Sequence, residues 1–365
     1  MKNDNITISR RSLLQSAGAA ALGASLVSQP ARADDVKGAQ LMTPSGKPLR
    51  GLFPIMETPF TPSDKLDTDG LTREVDYINR GGVNGMIWPV FASSWSTLSD
   101  AERIEGAETI LAANKGKKAA AAIAVQNMQW DVATSVRYAK HAASHGADAI
   151  VAIPPNNGWN VTDQQVIDYY KTIGAATDLP LIVQSRGTMS VPLMLEIFRQ
   201  VPTFKATKDE VGDPLERISK LIQGTGNKLA VFAAGGGTGD ELMEELPLGF
   251  MGLCPTPQYA DFLQRAQELY WAGKKREAFD MWARVQGFAG ILGSRQSMVM
   301  SQYIMVARGV FHEDTKFRQQ PMEPESRPTG APPPRVREPA APLTDAKKAF
   351  VRAALKEYLG PHMRG

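Results

Sequence analysis

A repeated alternation between short apolar segments and amphipathic segments, running from Gly51 to about residue 258, most constrains the fold of this 365-residue chain. The apolar segments have the four to eight residues typical of buried strands, and the segments between them follow the helical period. Eight strands are predicted, at residues 51–57, 85–91, 118–125, 147–153, 181–184, 204–208, 229–234 and 249–253. Eight successive strand–helix units predict an α/β fold, a (β/α)8 TIM barrel.

The segments between the strands contain signals for helix starts. Ser99 is followed three residues later by Glu102, the spacing of a capping box. A doubly wound sheet is the alternative fold, but it would carry a glycine-rich phosphate turn after the first strand, where this chain has prolines at 59 and 62. The predicted helices cover residues 69–80, 99–114, 131–145, 162–177, 192–200, 214–223 and 239–245.

The chain continues well beyond the predicted barrel, which we place at residues 51–258. Residues 259–320 predict three helices, at 259–272, 275–293 and 294–310, with wide apolar faces that should pack on the barrel or on another subunit. Residues 321–342 contain eight prolines and predict an extended connector. Residues 343–365 predict a terminal helix that opens at Thr344.

The N-terminus has the pattern of an export signal. A twin-arginine pair, Arg10 and Arg11, precedes an apolar run at residues 17–28 that is too short to span a bilayer. Small residues at 31 and 33 predict cleavage before Asp34, which leaves residues 34–50 as the N-terminal segment of the mature chain. The alternative is an amphipathic first helix. We expect a periplasmic protein, exported by the twin-arginine route, without a stable membrane anchor.

Charge and cysteine content exclude several classes of partner. The formal charge of +3 arises entirely within residues 1–33, so the rest of the chain is balanced and lacks a basic stripe for nucleic acid. Cys254 is the single cysteine and cannot form an internal disulfide. We find no Cys/His cluster at metal-ligand spacing, and we predict neither a metal nor an organic cofactor.

Lys208 is the strongest candidate for chemistry. It closes the sixth predicted strand, and active sites of this fold lie at the C-terminal ends of the strands. A lysine that is desolvated in a barrel mouth can attack carbonyl carbons as a neutral amine. The alternative is a structural lysine that pairs with Asp209 or Glu210.

Several segments resemble the dihydrodipicolinate synthase/N-acetylneuraminate lyase family. Residues 206–213, Ala-Thr-Lys-Asp-Glu-Val-Gly-Asp, resemble its Schiff-base lysine segment, and Thr58-Pro59-Phe60 resembles its first-strand motif. Further similar segments occur in the same order, and the resemblance extends from about 51 to 360. These segments are residues 81–85, 97–103, 146–149, 343–345 and 351–355.

The resemblance implies a (β/α)8 barrel with a C-terminal helical layer, assembled as a homodimer or homotetramer. It also implies class I aldolase chemistry on a small-molecule substrate. Lys208 would condense with the keto group of a 2-oxo acid such as pyruvate. The resulting iminium would act as the electron sink for an aldolase, synthase or dehydratase reaction.

Three segments depart from the family pattern, one of them the end of the fifth strand, where residues 183–186 are Val-Gln-Ser-Arg and the family usually has Tyr-Asn before its loop. Where the family has Gly-Thr-Thr-Gly-Glu to hold the substrate carboxylate, this chain has residues 90–96, in which Ser93 and Ser94 supply hydroxyl groups. Where the family has Pro-Tyr-Tyr, with one Tyr as proton relay, this chain has residues 154–157, Pro-Pro-Asn-Asn. Loss of a general acid–base group typically costs 10²–10⁴-fold in rate, so another group must move the proton.

Other polar residues at strand ends are candidates to complete the site. Glu57 and Asp209 are the proposed proton carriers, with Glu210 as a further possibility, although Glu57 would pair with an arginine in the structural alternative. Arg186 can bind a carboxylate with two hydrogen bonds, or be a solvated charge. The predicted substrate-binding residues are Thr58, Ser93, Ser94, Asn156, Gln184, Arg186 and Gly235, the last through its backbone amide or simply as part of a tight turn.

Two function hypotheses follow. The first is a lyase that acts through an imine on Lys208. The alternative is a catalytically silent barrel that binds a periplasmic small molecule or another protein, suggested by the missing Thr pair and Tyr. A dehydratase or hydrolase with an unrelated site in the same mouth is a third possibility.

Overall fold

The computed structural model describes residues 41–293, 297–319 and 342–363. Eight parallel strands form one sheet in the order β1-β8-β7-β6-β5-β4-β3-β2, and a bridge between Ile55 and Ile87 joins its two edges. The predicted (β/α)8 barrel is therefore confirmed. The strands are β1 Gly51–Leu52, β2 Gly85–Trp88, β3 Ala120–Ala124, β4 Ala149–Ala152, β5 Leu181–Gln184, β6 Phe204–Asp209, β7 Ala230–Ala233 and β8 Gly252–Leu253.

The first and last strands are shorter than predicted. β1 ends before Pro54, whereas β8 keeps its predicted end and begins late, after Gly249, which has a left-handed φ of 86°. Pro54 and Pro255 have no backbone N–H to donate. Pairing nevertheless continues past both strands, since the Phe53 amide donates to Leu253 and the Ile55 amide donates to Pro255 at 2.7 Å. The chain thus stays beside its neighbour where regular strand geometry ends.

Helices follow the strands in alternation. Their starts match the capping signals: the Ser99 hydroxyl accepts from the Glu102 amide, and the Glu102 carboxylate accepts from the Ser99 amide at 2.8 Å. The helix predicted at 239–245 is shorter, because Gly239 has a left-handed φ of 63°. The barrel helices are α1 Thr68–Arg80, α2 Asp100–Asn114, α3 Val132–Ser144, α4 Asp163–Gly174, α5 Val191–Gln200, α6 Pro214–Gly224, α7 Leu242–Glu245 and α8 Ala260–Trp271.

Side chains alternate between the barrel interior and the layer beneath the helices. Phe53, Ile182 and Ala206 belong to the interior cluster, whereas neighbours such as Val183 belong to the larger outer cluster. The interior of β3 is lined by alanines, and Phe53 packs edge-on against Phe232 with ring centroids 5.2 Å apart. The interior is therefore a packed core, and space for chemistry lies at the strand ends.

The helix predicted at 259–272 as the first beyond the barrel is α8, which follows β8 and completes the eighth strand–helix unit. A C-terminal helical layer follows it, as the resemblance implies. It contains α9 Lys275–Leu292, α10 Met298–Ala307 and α11 Asp345–Ala354, whose Lys347 ammonium donates to the Leu292 carbonyl at 2.7 Å. None of the described helices combines the length and apolarity that a bilayer crossing needs. The predicted signal peptide, residues 34–40, residues 294–296 and most of the proline-rich connector lie outside the described residues.

Candidate functional site

Lys208 lies in the barrel mouth, near the end of β6. It is two residues beyond the interior-facing Ala206, so strand alternation turns it to the same side, and its strand register pairs it with Gln184 of β5. The residue is 6% exposed. An amine in this position is shielded from bulk water.

Glu210 is the direct partner of Lys208. The Lys208 Nζ lies 2.8 Å from Glu210 Oε1. The other carboxylate oxygen accepts from Gln184 Nε2 at 2.6 Å and from Arg186 at 3.3 Å. Three strand-end side chains thus converge on one carboxylate, and two of them belong to the predicted substrate-binding set.

The charge of the Glu210 carboxylate is set by a balance of opposing effects. Burial would raise the pKa of Glu210, but the positive charges of Lys208 and Arg186 and the hydrogen bonds outweigh it, so the pKa lies below its usual range. Neutralising Lys208 would remove the largest lowering effect. Glu210 would then become a better base, because burial would act with less opposition.

Aromatic side chains line one side of the cluster formed by Lys208, Glu210, Gln184 and Arg186. The Arg186 guanidinium lies over the Phe91 ring, 4.3 Å from its centroid. Phe91 in turn contacts Trp95 edge-on, and Trp95 contacts Trp130 in the same way. Trp130 adopts a left-handed φ of 54°, which is strained for a bulky residue and typical of functional loops.

Asp209 points away from Lys208. Its carboxylate accepts two hydrogen bonds from Arg217 of α6, at 2.8 and 2.9 Å, and one from the Ser185 hydroxyl at 2.5 Å. The Ser185 hydroxyl also accepts from the backbone amide of Glu210 at 2.9 Å. Asp209 therefore anchors the end of β6 from the outer side and helps to position Glu210.

Glu57 is buried but directed towards α10. Its carboxylate accepts from Gln302 at 3.1 Å and from Ser301 at 3.3 Å, and its backbone amide donates to Glu74 at 3.0 Å. Burial raises the pKa of Glu57 to about 8, against a smaller lowering by Gln302 and Ser301. No arginine is among these partners, and the structure does not bring Glu57 to Lys208.

The hydroxyls predicted to bind a carboxylate are largely engaged within the chain. Thr58 donates to the Ser93 carbonyl at 2.7 Å and accepts from the Trp88 indole at 3.0 Å. The Ser93 hydroxyl donates to the Met56 carbonyl at 2.6 Å. Ser94 is half-buried in a left-handed turn with φ 53°. These contacts hold the β2 loop against the end of β1.

The two remaining predicted binding residues also have partners. The Asn156 amide donates to the Trp159 carbonyl at 2.7 Å within the β4 loop. The backbone amide of Gly235 donates to the Glu241 carboxylate at 3.2 Å. The turn at Gly235 thus holds an anionic group, but that group belongs to the chain itself.

Alternation along β6 is the signal that separates Glu210 from Asp209. Residues 206, 208 and 210 share one face of an extended segment, so Glu210 follows Lys208 into the mouth while Asp209 does not.

Sequence analysis did not identify Gln126, which follows β3. It is fully buried and donates to the Pro89 carbonyl at 2.8 Å. Within the described residues, the side chains grouped closely enough to hold a metal ion lie outside the mouth, on α2 and α3.

Comparison with known proteins yields consistent similarities. The model of the dihydrodipicolinate synthetase family matches residues 48–331. L-2-keto-3-deoxyarabonate dehydratase of Azospirillum brasilense is 24% identical over 280 residues, 73% of this chain and 87% of that protein. 4-hydroxy-tetrahydrodipicolinate synthase of Methanothrix thermoacetophila is 24% identical over 209 residues, 56% of this chain and 68% of that protein.

A solved structure shows the same fold. YagE, a prophage protein of the dihydrodipicolinic acid synthase family from Escherichia coli K12 solved in complex with pyruvate, superposes with a TM-score of 0.68. The alignment covers 85% of this chain and 98% of YagE at 18% identity. At this identity the similarity is one of fold, and the chemistry must be argued from the residues of this chain.

Proposed function

Because the chain belongs to the dihydrodipicolinate synthetase family, whose model matches residues 48–331, we propose that it is a lyase acting on a 2-oxo acid through a Schiff base on Lys208. The observation that carries the proposal is the buried Lys208–Glu210 pair at the C-terminal end of β6. The dehydratase and synthase among its relatives support lyase chemistry in general.

Glu210 takes the role of proton carrier in this proposal. It accepts a proton from the Lys208 ammonium, which frees the amine to attack the keto carbon. The attack gives an alkoxide and a protonated nitrogen, and transfer of a proton from that nitrogen to the oxygen gives the carbinolamine. Glu210 then returns its own proton to the carbinolamine hydroxyl, which leaves as water while the iminium forms. Once the proton has moved, the neutral amine no longer lowers the pKa of Glu210, and burial then favours the protonated carboxyl group until the proton is passed on.

The iminium then withdraws electrons from the substrate and permits cleavage or elimination at the neighbouring carbons. The regenerated Glu210 carboxylate is available to remove the next proton. We assign Arg186 to the substrate carboxylate, because its guanidinium is held at the mouth by Phe91 and Glu210. The iminium supplies the electron sink, so the proposed reaction uses no metal ion or organic cofactor.

The direct test is borohydride trapping of residues 34–365 with a panel of 2-oxo acids, pyruvate first, read by intact and peptide mass spectrometry. We expect a reduced adduct on Lys208 that is absent in Lys208→Arg, which preserves the charge next to Glu210. Lys205→Arg, on the same strand, is the matched control and should still give the adduct. A folded protein without any adduct would contradict the proposal and favour the silent binding barrel.

Glu210→Gln separates the proton carrier from the nucleophile. Because Glu210 assists imine formation, we expect the adduct to form at the same site, Lys208, but more slowly, and turnover of a substrate identified by trapping to fall by about 10²–10⁴-fold. In this variant, the pH profile of kcat should lose the change that the titration of Glu210 produces in the parent. Unchanged turnover and an unchanged pH profile would assign Glu210 a structural role and require a different proton carrier.

The quaternary structure is a further part of the proposal. Family resemblance favours a homodimer or homotetramer, and α9 presents apolar surface through Phe279 and Ile291, each 48% exposed. Sedimentation of the mature chain would test this assembly, which a monomer at micromolar concentration would contradict.

A further inference from the structure

Two histidines and one carboxylate converge on the outer surface of the barrel. His141 and His145 are four residues apart on α3 and its C-cap, so they share one face of the helix. Glu108 of the neighbouring α2 faces both of them. This group lies where α3 leads into β4, at the opposite end of the barrel from Lys208.

The spacing of the ligand atoms suits a small divalent ion. Glu108 Oε1 lies 2.9 Å from His141 Nε2 and 3.6 Å from His145 Nε2, and the three ligand atoms are all within 4.8 Å of one another. Ligands about 2.0–2.1 Å from a tetrahedral zinc ion are roughly 3.3 Å apart. Small rotations of exposed side chains therefore suffice to admit the ion.

The hydrogen bonds of His145 prepare it to be a ligand. Its Nδ1 lies 2.8 Å from the His141 backbone carbonyl, which can only accept, so Nδ1 carries the proton. Its Nε2 is then the atom with a free lone pair, and it is the atom that faces Glu108. A backbone carbonyl that fixes the histidine tautomer in this way is the usual outer partner of a metal-binding histidine.

We propose that Glu108, His141 and His145 bind a divalent transition-metal ion of the zinc type. Two imidazoles and a carboxylate are ligands that zinc, copper and nickel favour over magnesium or calcium. The site is open, since the side chains of His145 and Glu108 are 42% and 47% exposed, so water completes the coordination. The ion would link α2 to α3, and binding is independent of the reaction proposed for Lys208.

Helical spacing of the two histidines was present in the sequence, but by itself it did not indicate a site. The third ligand comes from another helix, 33 residues before His141. The proposed site therefore goes beyond the sequence analysis, which predicted no metal-binding cluster, while the mouth remains assigned to chemistry without a metal.

Calorimetric titration of the tag-free mature chain with zinc chloride tests the proposal. We expect one ion per chain, with affinity reduced about tenfold or more in His141→Ala and in His145→Ala, and reduced to a smaller extent in Glu108→Gln. His312→Ala is the matched control and should bind as the parent does. Cobalt chloride should give visible d–d absorption that the His145→Ala variant lacks.

Two results would overturn the proposal. One is the absence of binding at 100-fold molar excess of zinc over folded protein. The other is binding that persists unchanged in the His141→Ala/His145→Ala double variant, which would place the ion elsewhere. Circular dichroism of each variant confirms that the comparison is between folded proteins, as expected for substitutions of exposed or half-buried side chains.

Discussion

Glu57 shows how one side chain couples stability to pH. Its pKa is about 8 in the folded protein against an ordinary value of 4.5, chiefly because burial disfavours the charged form. Below about pH 4.5 both folded and unfolded chains hold the proton. Between 4.5 and 8 only the folded chain holds it, so the free energy of unfolding falls as pH rises through this window. Glu74, whose pKa burial also raises, acts in the same direction.

Glu57→Gln should remove the contribution of Glu57 to the pH dependence of the free energy of unfolding. The amide resembles the protonated acid, since its oxygen can accept from Gln302 and its nitrogen can donate to Ser301. We expect the variant to gain stability relative to the parent between pH 5 and pH 8, by at most about 4 kcal/mol. Urea unfolding at both pH values measures this gain. Parallel stability curves for the two proteins would contradict it.

The surroundings of Glu57 also show a limit of sequence analysis. Strand alternation after Phe53 and Ile55 predicts only that Glu57 lies on the interior side of the barrel. Its observed partners, Ser301 and Gln302, come from α10, 244 and 245 residues further along the chain. No local pattern encodes that contact. Lys208, by contrast, could be predicted as a mouth residue because its orientation depends only on its own strand and the fold class.

At the scale of elements, β8 and β1 depend on close backbone approach. A Cβ atom on Gly252 would lie 1.8 Å from the carbonyl oxygen of Gly51 on the paired strand. The alternation of strands and helices could be predicted from the sequence, but the shortness of these two strands could not. It arises from the pairing of segments about 200 residues apart, together with Pro54 after β1 and the left-handed turn at Gly249 before β8.

Gly252→Ala should therefore destabilise the barrel, by about 3 kcal/mol or more, because the backbone must shift to admit the methyl group. Gly287→Ala is the matched control: this exposed glycine is inside α9, and its added Cβ meets no atom within 4 Å. The control should gain about 0.5–1 kcal/mol from helix propensity. Thermal unfolding of both variants measures the effects, and equal melting temperatures would refute the assignment.

At the scale of the whole molecule, we propose export to the periplasm from the twin-arginine motif at Arg10 and Arg11. In a bacterial host, the full chain should appear in the periplasmic fraction with Asp34 at its N-terminus. Replacing both arginines with lysine should retain the precursor in the cytoplasm. Fractionation with N-terminal mass spectrometry measures both outcomes, and unaltered export of the double-lysine chain would contradict the proposed route.

The contact between β1 and β2, where the two edges of the sheet meet, is the seam of the barrel. Seven neighbouring strand pairs share a ladder, whereas β1 and β2 meet through the single bridge between Ile55 and Ile87 and the few backbone hydrogen bonds around it. Local opening should begin at the strand contact with the fewest backbone hydrogen bonds. The amides of Met56 and Ile87 should therefore exchange with deuterium before those of β5 and β6. Such opening would loosen the loop that carries Ser93, since Thr58 and Met56 at the end of β1 hold that loop, while leaving Lys208 and Glu210 in place.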